Sequence, residues 1–297
     1  MDSALAIPSD RTVTDATGAV VGFYEYGDPT GYPVLTFHGT PACGAGFAFA
    51  DEPARARGLR IIAPDRPGVG RSSRRSGWVV GDYPTMVAAF ADALGLGRFS
   101  VWGYSGGGPY AVACVARLAE RIDASAVAAG MGEIGVFATA DEFEKTDRQM
   151  LALAPRHPVI ARWIMGFAGW MAERSPRSAL KSFEAQLSAS DRAVIAEVGD
   201  PAAVMAMFTR AFQRGAHGVV ADYAALSRPW GCELSTATGA VTVWHGTADT
   251  MVPLRHSAEL ARRLPNATLT TWEGEGHLAP ITHVDQILDT LRRAVKP

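Results

Sequence analysis

Short apolar runs recur along the first half of the chain, and each ends in a loop rich in glycine, proline or aspartate. Residues 12–16 and 19–26 are β-rich and flank Thr17-Gly18, which predicts a hairpin. The next apolar runs show no polar alternation, which is typical of strands buried on both faces. They cover residues 34–37, 60–63, 99–102 and 124–129, and the helices predicted between them cover residues 47–57, 82–94 and 110–121.

The pattern changes after residue 134. Residues 135–229 contain no convincing buried strand, and helices are predicted at residues 142–150, 158–174, 177–187, 191–198 and 201–213. Strand patterns resume at residues 240–245 and 267–272, with helices at residues 254–264 and 283–295. The recurring strand–loop–helix unit predicts an α/β fold with a mostly parallel, doubly wound, eight-stranded sheet. We expect a core in two parts, residues 1–134 and 231–297, and an inserted all-helical cap at residues 135–230.

Composition narrows the class of protein. The 297 residues have a formal net charge of −2 and no run of Lys or Arg longer than two, which argues against a nucleic-acid-binding protein. The first ten residues lack a basic region and a long apolar stretch, and the apolar segment at residues 159–171 is too short to span a bilayer. We therefore expect a cytoplasmic protein without a membrane span. Cys43, Cys114 and Cys232 are widely spaced, so we expect small buried side chains, with neither a disulfide framework nor a metal site.

The strongest chemical signal is V-W-G-Y-S-G-G-G-P-Y at residues 101–110. A β-branched and aromatic run enters this stretch and an alanine-rich run leaves it, which predicts a strand, a sharp turn and a helix with Ser105 at the apex. Side chains at Gly103 and Gly107 would collide with the neighbouring chain on such a turn. The pattern matches the G-x-S-x-G nucleophile elbow. A phosphate-binding loop is the alternative, but the stretch lacks the G-K-[ST] ending.

A serine nucleophile needs a histidine base that is oriented by a carboxylate. Loops that follow parallel strands meet at one edge of a sheet, so both partners are expected in such loops. Asp249 follows the predicted strand at residues 240–245, and His277 follows the one at residues 267–272. Ser105, Asp249 and His277 are therefore the candidate catalytic residues, although an Asp after a strand can also be a simple turn former. The rival carboxylates are Asp65, Asp222 and Asp285.

Five motifs in this order resemble the α/β-hydrolase fold superfamily, in particular its esterase-like serine hydrolases with a helical cap. They are H-G-T-P at residues 38–41, D-R-P-G-V-G-R-S at 65–72, G-Y-S-G-G at 103–107, H-G-T-A-D at 245–249 and G-E-G-H at 274–277. The resemblance covers the chain from about residue 20 onward, apart from the expected cap. It implies that Ser105 attacks a carbonyl carbon, His277 transfers the proton and Asp249 orients the imidazole. It also implies an oxyanion hole made by the backbone N–H groups of Thr40 and Gly106, and neither a metal nor an organic cofactor.

Other motif residues have structural interpretations. The family pattern makes Asp65 structural, shaping the turn at residues 66–72, and His38 is expected to pack beneath the oxyanion loop, with a more direct role as the alternative. His245 is expected at a strand end.

The predicted cap contributes candidates for the substrate pocket. Apolar side chains at i, i+3 and i+4 spacing either line a pocket over Ser105 or simply pack helices onto the core. The candidate pocket residues from the cap are Trp163, Phe167, Phe208 and Phe212. Two further candidates, His38 and Tyr104, lie in the predicted core.

The expected activity is hydrolysis of a carboxylic ester, thioester or lactone of a small, apolar substrate through an acyl-enzyme on Ser105. Hydrolysis of a C–C or amide bond, acyl transfer with the same triad and a low-turnover small-molecule receptor are the alternatives. The sequence H-G-T-P-A differs from the H-G-G-P-G of proline-removing peptidases, which lowers that option. A serine nucleophile argues against dehalogenases and epoxide hydrolases, which use Asp. The expected partner is a small molecule, and a homo-oligomer is left open.

Overall fold

The computed structural model describes residues 7–8 and 10–293, and a single eight-stranded sheet runs through it. The order of strands in space is β1-β2-β4-β3-β5-β6-β7-β8. Strand β2 pairs antiparallel with β1 and β4, and every other pairing is parallel. The strands are β1 (Arg11–Thr14), β2 (Val20–Gly27), β3 (Tyr32–Phe37), β4 (Leu59–Pro64), β5 (Phe99–Tyr104), β6 (Ile122–Ala128), β7 (Val241–Gly246) and β8 (Ala267–Trp272). This confirms the predicted hairpin and the mostly parallel, doubly wound α/β sheet.

Helices follow most of the parallel strands. They are α1 (Asp51–Arg55), α2 (Tyr83–Ala93), α3 (Gly108–Arg117), α4 (Lys145–Leu153), α5 (Pro158–Arg174), α6 (Pro176–Glu184), α7 (Ala189–Val198), α8 (Pro201–Thr209), α9 (His217–Leu226), α10 (Leu254–Arg263), α11 (Ala279–Thr282) and α12 (Val284–Arg293). Short 3₁₀ segments lie at Gly44–Ala50, Val80–Asp82, Ser105–Gly107, Ala119–Arg121, Ala140–Glu142, Arg210–Phe212 and Leu234–Thr236. The predicted helix at residues 283–295 extends beyond the described residues, which end at 293.

The segment after β3 differs from its prediction. A single helix was expected at residues 47–57, but the chain forms the 3₁₀ segment Gly44–Ala50 followed by the five-residue helix α1. Gly44 lies so close to β4 that a Cβ there would be 2.2 Å from the carbonyl oxygen of Ala63. Contact with the sheet therefore sets the path of this segment, and glycine also lowers its helix propensity.

Six helices, α4 to α9, lie between β6 and β7, and we call them the helical insertion. Five side chains within it form a small apolar cluster of their own: Leu180, Leu187, Ile195, Val204 and Met205. The domain limits 1–134, 135–230 and 231–297 stay predictions. No helix among residues 7–8 and 10–293 is both long enough and apolar enough to cross a membrane. Cys43 and Cys114 are buried, and all three cysteines are free thiols.

Helix α9 was absent from the sequence prediction. Seven of its ten residues are buried, among them Asp222 and Tyr223. A helix that is buried on nearly all sides lacks the amphipathic period by which sequence patterns identify helices. Its omission matters, because α9 contributes directly to the candidate site.

Candidate active site

The turn after β5 places Ser105 in a strained backbone conformation. Its φ is 55°, a left-handed value that non-glycine residues rarely adopt. A Cβ on Gly103 would lie 2.5 Å from the carbonyl oxygen of Gly107, and a Cβ on Gly107 would lie 1.9 Å from the carbonyl oxygen of Phe37. The steric need for glycine at both positions is therefore confirmed.

The structure brings Ser105, His277 and Asp249 together in a line of hydrogen bonds. The Ser105 hydroxyl oxygen lies 3.0 Å from Nε2 of His277, and Nδ1 of His277 lies 2.7 Å from Oδ2 of Asp249. A carboxylate only accepts hydrogen bonds, so Nδ1 carries the proton and Nε2 accepts from the serine hydroxyl. The other oxygen of Asp249 accepts from the N–H groups of Met251 and Val252, at 2.8 and 2.9 Å. These bonds fix the carboxylate that orients the imidazole.

Charges around His277 set its proton affinity. Burial alone would lower the pKa of His277, but the charge and hydrogen bond of Asp249, together with the charges of Asp191 and Asp147, outweigh burial and raise it above the usual 6.5. Burial would likewise raise the pKa of Asp249, but His277 and His245 hold it well below its usual range. The pair is therefore an ionised carboxylate beside a histidine that binds a proton more tightly than usual.

The loop after β3 lies against the turn that carries Ser105. A Cβ on Gly39 would be 3.2 Å from the Cβ of Ser105, and a Cβ on Gly106 would be 3.3 Å from the backbone nitrogen of Thr40. The backbone nitrogen of Thr40 thus lies beside Gly106, the residue after the serine. Gly106 is the second residue of a 3₁₀ turn, where the backbone N–H has no partner within the turn.

His38 lies under this loop, as its structural interpretation expected. Its Nδ1 donates to the carbonyl oxygen of Gly39 at 2.8 Å, and its Nε2 accepts from the N–H of Arg66 at 3.3 Å. Burial, with the nearby charge of Arg66, lowers the pKa of His38 well below its usual value. His38 is therefore a neutral support of the loop.

His245 lies at the end of β7, buried behind Asp249. Its Nε2 lies 2.9 Å from the carbonyl oxygen of Val252 and 3.2 Å from Oδ2 of Asp249, and its Nδ1 lies 2.7 Å from the hydroxyl of Ser257.

Two of the predicted pocket residues are largely exposed, and their place in a pocket stays a prediction. Trp163 and Phe167, both in α5, are 78% and 63% exposed. Helix α5 buries Ala161, Met165 and Gly169 instead. A Cβ on Gly169 would be 2.9 Å from the ring of Phe212, so the inner face approaches its neighbour too closely for large side chains. The large aromatic side chains Trp163, Phe167 and Trp170 lie on the exposed face of this helix.

The other pocket candidates make packing contacts. Phe208 meets Phe183 edge-on, with ring centres 5.2 Å apart, and Phe212 packs against α5. These contacts follow the alternative interpretation, helix-to-core packing. Tyr104 touches the site differently: its ring stacks on His277 at 5.4 Å, and its hydroxyl donates to the carbonyl oxygen of His277 at 3.0 Å.

The rival carboxylates have other partners. Asp65 accepts from the N–H of Gly44 at 2.7 Å, and burial raises its pKa to about 7. Asp285 forms an exposed ion pair with Arg57. Asp222 pairs with Arg66. None of the three forms a hydrogen bond with His277 among the described residues, so Asp249 alone of these carboxylates orients the imidazole.

Asp191 was missed by the sequence analysis as a residue of the site. This side chain of α7 accepts from the backbone N–H of His277 at 3.0 Å and of Leu278 at 2.7 Å. A Cβ on Gly276 would be 2.2 Å from Asp191, so the last glycine of G-E-G-H makes the contact possible. In the sequence, S-A-S-D at residues 188–191 signals only a helix start.

Comparison with known proteins identifies the fold family. A family model described as the alpha/beta hydrolase fold matches residues 32–284. The chain belongs to the α/β-hydrolase family. This α/β-hydrolase is 26% identical to a 2-hydroxymuconate semialdehyde hydrolase of Pseudomonas putida, over 91% of this chain and 89% of that protein. A thermophilic esterase from Thermogutta terrifontis superposes on it with a TM-score of 0.68 at 21% identity, covering 96% of this chain and 97% of that one.

A shorter match is to haloalkane dehalogenase 2 of Mycobacterium tuberculosis. It is 34% identical over 96 residues, which are 31% of this α/β-hydrolase and 33% of the dehalogenase. The chain thus matches only about a third of the length of that relative. Among residues 7–8 and 10–293, no group of three or more His, Cys, Asp or Glu side chains could hold a metal ion.

Proposed function

We propose that this α/β-hydrolase is a serine hydrolase that cleaves a carboxylic ester, thioester or lactone of a small, apolar substrate. The observation that carries the proposal is the line of hydrogen bonds from Ser105 through His277 to Asp249, which starts at a strained turn. This arrangement suits activation of a serine hydroxyl by a histidine base.

The proposed mechanism uses these three side chains and the loop after β3. Nε2 of His277 takes the hydroxyl proton as Oγ of Ser105 attacks the acyl carbon. Asp249 stabilises the imidazolium that forms, and the N–H groups of Thr40 and Gly106 stabilise the charge on the acyl oxygen. The imidazolium then gives its proton to the leaving group, which departs. The acyl group stays bound to Ser105 as an acyl-enzyme. In the second half, His277 takes a proton from water as the water oxygen attacks the acyl carbon. The imidazolium then returns a proton to Oγ of Ser105 as the bond to the acyl carbon breaks and the acid is released.

Hydrolysis of a C–C bond is the second candidate. It is favoured by the nearly full-length similarity to a protein named as a 2-hydroxymuconate semialdehyde hydrolase. A serine at the elbow argues against dehalogenation, despite the partial similarity to a haloalkane dehalogenase, because those enzymes use Asp as the nucleophile.

The test uses the whole protein with a fluorophosphonate probe and a panel of aryl esters of increasing acyl length, with lactones included. We expect labelling of Ser105, turnover of at least one ester or lactone, and loss of both labelling and turnover in Ser105→Ala. Turnover that is unchanged in Ser105→Ala would contradict the proposed function. Cleavage of 2-hydroxymuconate semialdehyde in preference to every ester would favour the second candidate.

A further inference from the structure

The side chain of Arg66 is fully buried beneath the loop after β3. Its guanidinium donates to the carbonyl oxygens of His38 and Gly39 and, at 2.9 Å, to the hydroxyl oxygen of Thr40. The remaining hydrogen bonds of the guanidinium go to Asp222: Nε to Oδ1 at 2.8 Å and Nη2 to Oδ2 at 2.6 Å. One side chain therefore ties three consecutive residues of the loop to helix α9.

Asp222 completes the connection from the side of the helical insertion. It is 1% exposed, and besides Arg66 it accepts from the hydroxyl of Tyr110 at 2.6 Å and from the hydroxyl of Thr40. Tyr110 belongs to α3, the helix that begins just after the serine turn. The carboxylate thus accepts hydrogen bonds from α3, from the loop after β3 and from the loop after β4.

The backbones of these segments are also in close contact. A Cβ on Gly218, at the start of α9, would come within 2.0 Å of the carbonyl carbon of Gly68. Helix α9 therefore rests directly on the turn that follows Arg66, and the position of Asp222 is closely defined relative to the loop.

Thr40 has one donor, its backbone N–H, without a partner among the described residues. Its hydroxyl accepts from Arg66 and donates to Asp222, so the hydroxyl proton is already used. Its backbone nitrogen lies beside Gly106, 3.3 Å from the position that a Cβ on that glycine would take. The two side-chain bonds hold the residue in the orientation that presents this N–H.

We propose that Arg66 and Asp222 are positioning residues that hold the Thr40 N–H at the place where the acyl oxygen becomes negative. This inference rests on the proposed serine hydrolase function. By this proposal the helical insertion supports the oxyanion hole through Thr40, because Asp222 belongs to α9.

Stability alone does not account for the pair. Removing two charges from water is costly, and an apolar pair of similar volume is often as stable as a buried ion pair. What the ion pair adds here is a fixed set of directional bonds to a loop whose backbone must not move. A shift of about 1 Å in a catalytic donor can lower a rate about 100-fold.

The test compares Thr40→Val, Thr40→Ser and Asp222→Asn with the wild-type protein on the best ester from the panel. Valine keeps the shape of threonine but breaks both bonds, whereas serine keeps the hydroxyl. We expect kcat to fall about 10- to 100-fold in Thr40→Val and Asp222→Asn, with KM within about twofold, and Thr40→Ser to stay within a few fold of wild type. The double variant Thr40→Val/Asp222→Asn is expected to lose little more than either single variant, because both break the same connection.

A second measurement separates positioning from general disruption. A trifluoromethyl ketone with the same acyl group forms a tetrahedral adduct on the serine, with its oxyanion in the hole. Its Ki should rise by the same factor by which kcat/KM falls. Arg57→Gln is the matched control, since it breaks a partly exposed pair with Asp285 and Asp289 away from the site, and it should leave kcat and Ki unchanged.

The outcomes are distinguishable. If Ser105→Ala keeps wild-type turnover, the proposed function fails. If turnover depends on Ser105 but Thr40→Val keeps the wild-type kcat, the positioning proposal fails and the proposed function stands. It also fails if kcat falls while the Ki of the ketone stays constant. Should Asp222→Asn not fold, as judged by circular dichroism, the half-buried Thr40 and its two variants still decide the question.

Discussion

The carboxylate of Asp191 accepts a hydrogen bond from the backbone N–H of His277 at 3.0 Å. Asp191 lies in α7 of the helical insertion, and His277 lies in the loop after β8. The insertion therefore holds the backbone of the proposed base, while Asp249 holds its imidazole. The charge of Asp191 also contributes to the raised pKa of His277.

The variant Asp191→Asn should lower kcat/KM at least tenfold. An amide group in place of one carboxylate oxygen would point a donor at the N–H of His277 or Leu278, and the loop would shift. Steady-state kinetics on the best ester measures the effect. Asp200→Asn is the control, because Asp200 also caps a helix of the insertion, with the N–H of Ala202 as its partner and not the loop after β8. This variant should keep wild-type kinetics. Equal kinetics in the two variants would show that Asp191 does not position His277.

The pH dependence of kcat/KM should report the raised pKa of His277. The base acts only when it is neutral, so activity should be lost as the pH falls through a midpoint above the usual 6.5. In Asp249→Asn the charge that most favours protonated His277 is gone, so the midpoint should move to lower pH. The maximal rate should also fall by orders of magnitude, because the imidazole loses its orienting partner. A flat profile between pH 5 and 8, or a midpoint that stays in place in Asp249→Asn, would contradict this role of His277.

Backbone strain at Ser105 should be measurable as a difference in melting temperature between two variants. The left-handed φ of 55° disfavours any residue with a Cβ by about 1–2 kcal/mol, and glycine removes that strain. Glycine also adds unfolded-state entropy that costs about 0.4–1 kcal/mol, so a smaller net gain is expected. We therefore expect Ser105→Gly to melt about 1–3 °C above Ser105→Ala in calorimetry. Both variants lack the hydroxyl, so a lower Tm for Ser105→Gly would argue against strain.

The outward aromatic residues of α5 should be dispensable for turnover. Because Trp163 and Phe167 are largely exposed, Trp163→Gln and Phe167→Gln should change the free energy of unfolding by no more than about 0.5 kcal/mol and leave kcat/KM within twofold. Phe212→Ala is the comparison on the packed side of this helix. It should destabilise the protein by more, but by less than the about 3–5 kcal/mol typical of a fully buried phenylalanine, because Phe212 is only partly buried. Loss of turnover in Trp163→Gln would restore the pocket interpretation.

Sequence patterns were informative wherever chemistry or sterics depends on neighbouring residues. The glycines around Ser105 are required by contacts within one turn, and the apolar runs reveal strands because both faces of the sheet are covered. Asp249 and His277 could be selected because each follows a strand that the pattern identifies. Helix α9 could not be found in this way, since burial on nearly all sides removes its polar stripe.

The sequence by itself determined the order of the eight strands along the chain, most of the helices between them, the sharp turn at Ser105 and the candidate Ser, Asp and His residues. Each of these follows from local spacing, backbone sterics or the position of a loop after a strand. Only the tertiary structure decided which face of α5 is buried, and that Asp191 and Asp222 reach the loops that carry His277 and Thr40. Those contacts join residues 86 and 182 positions apart, and their formation depends on how the helical insertion packs on the sheet, which no local pattern encodes.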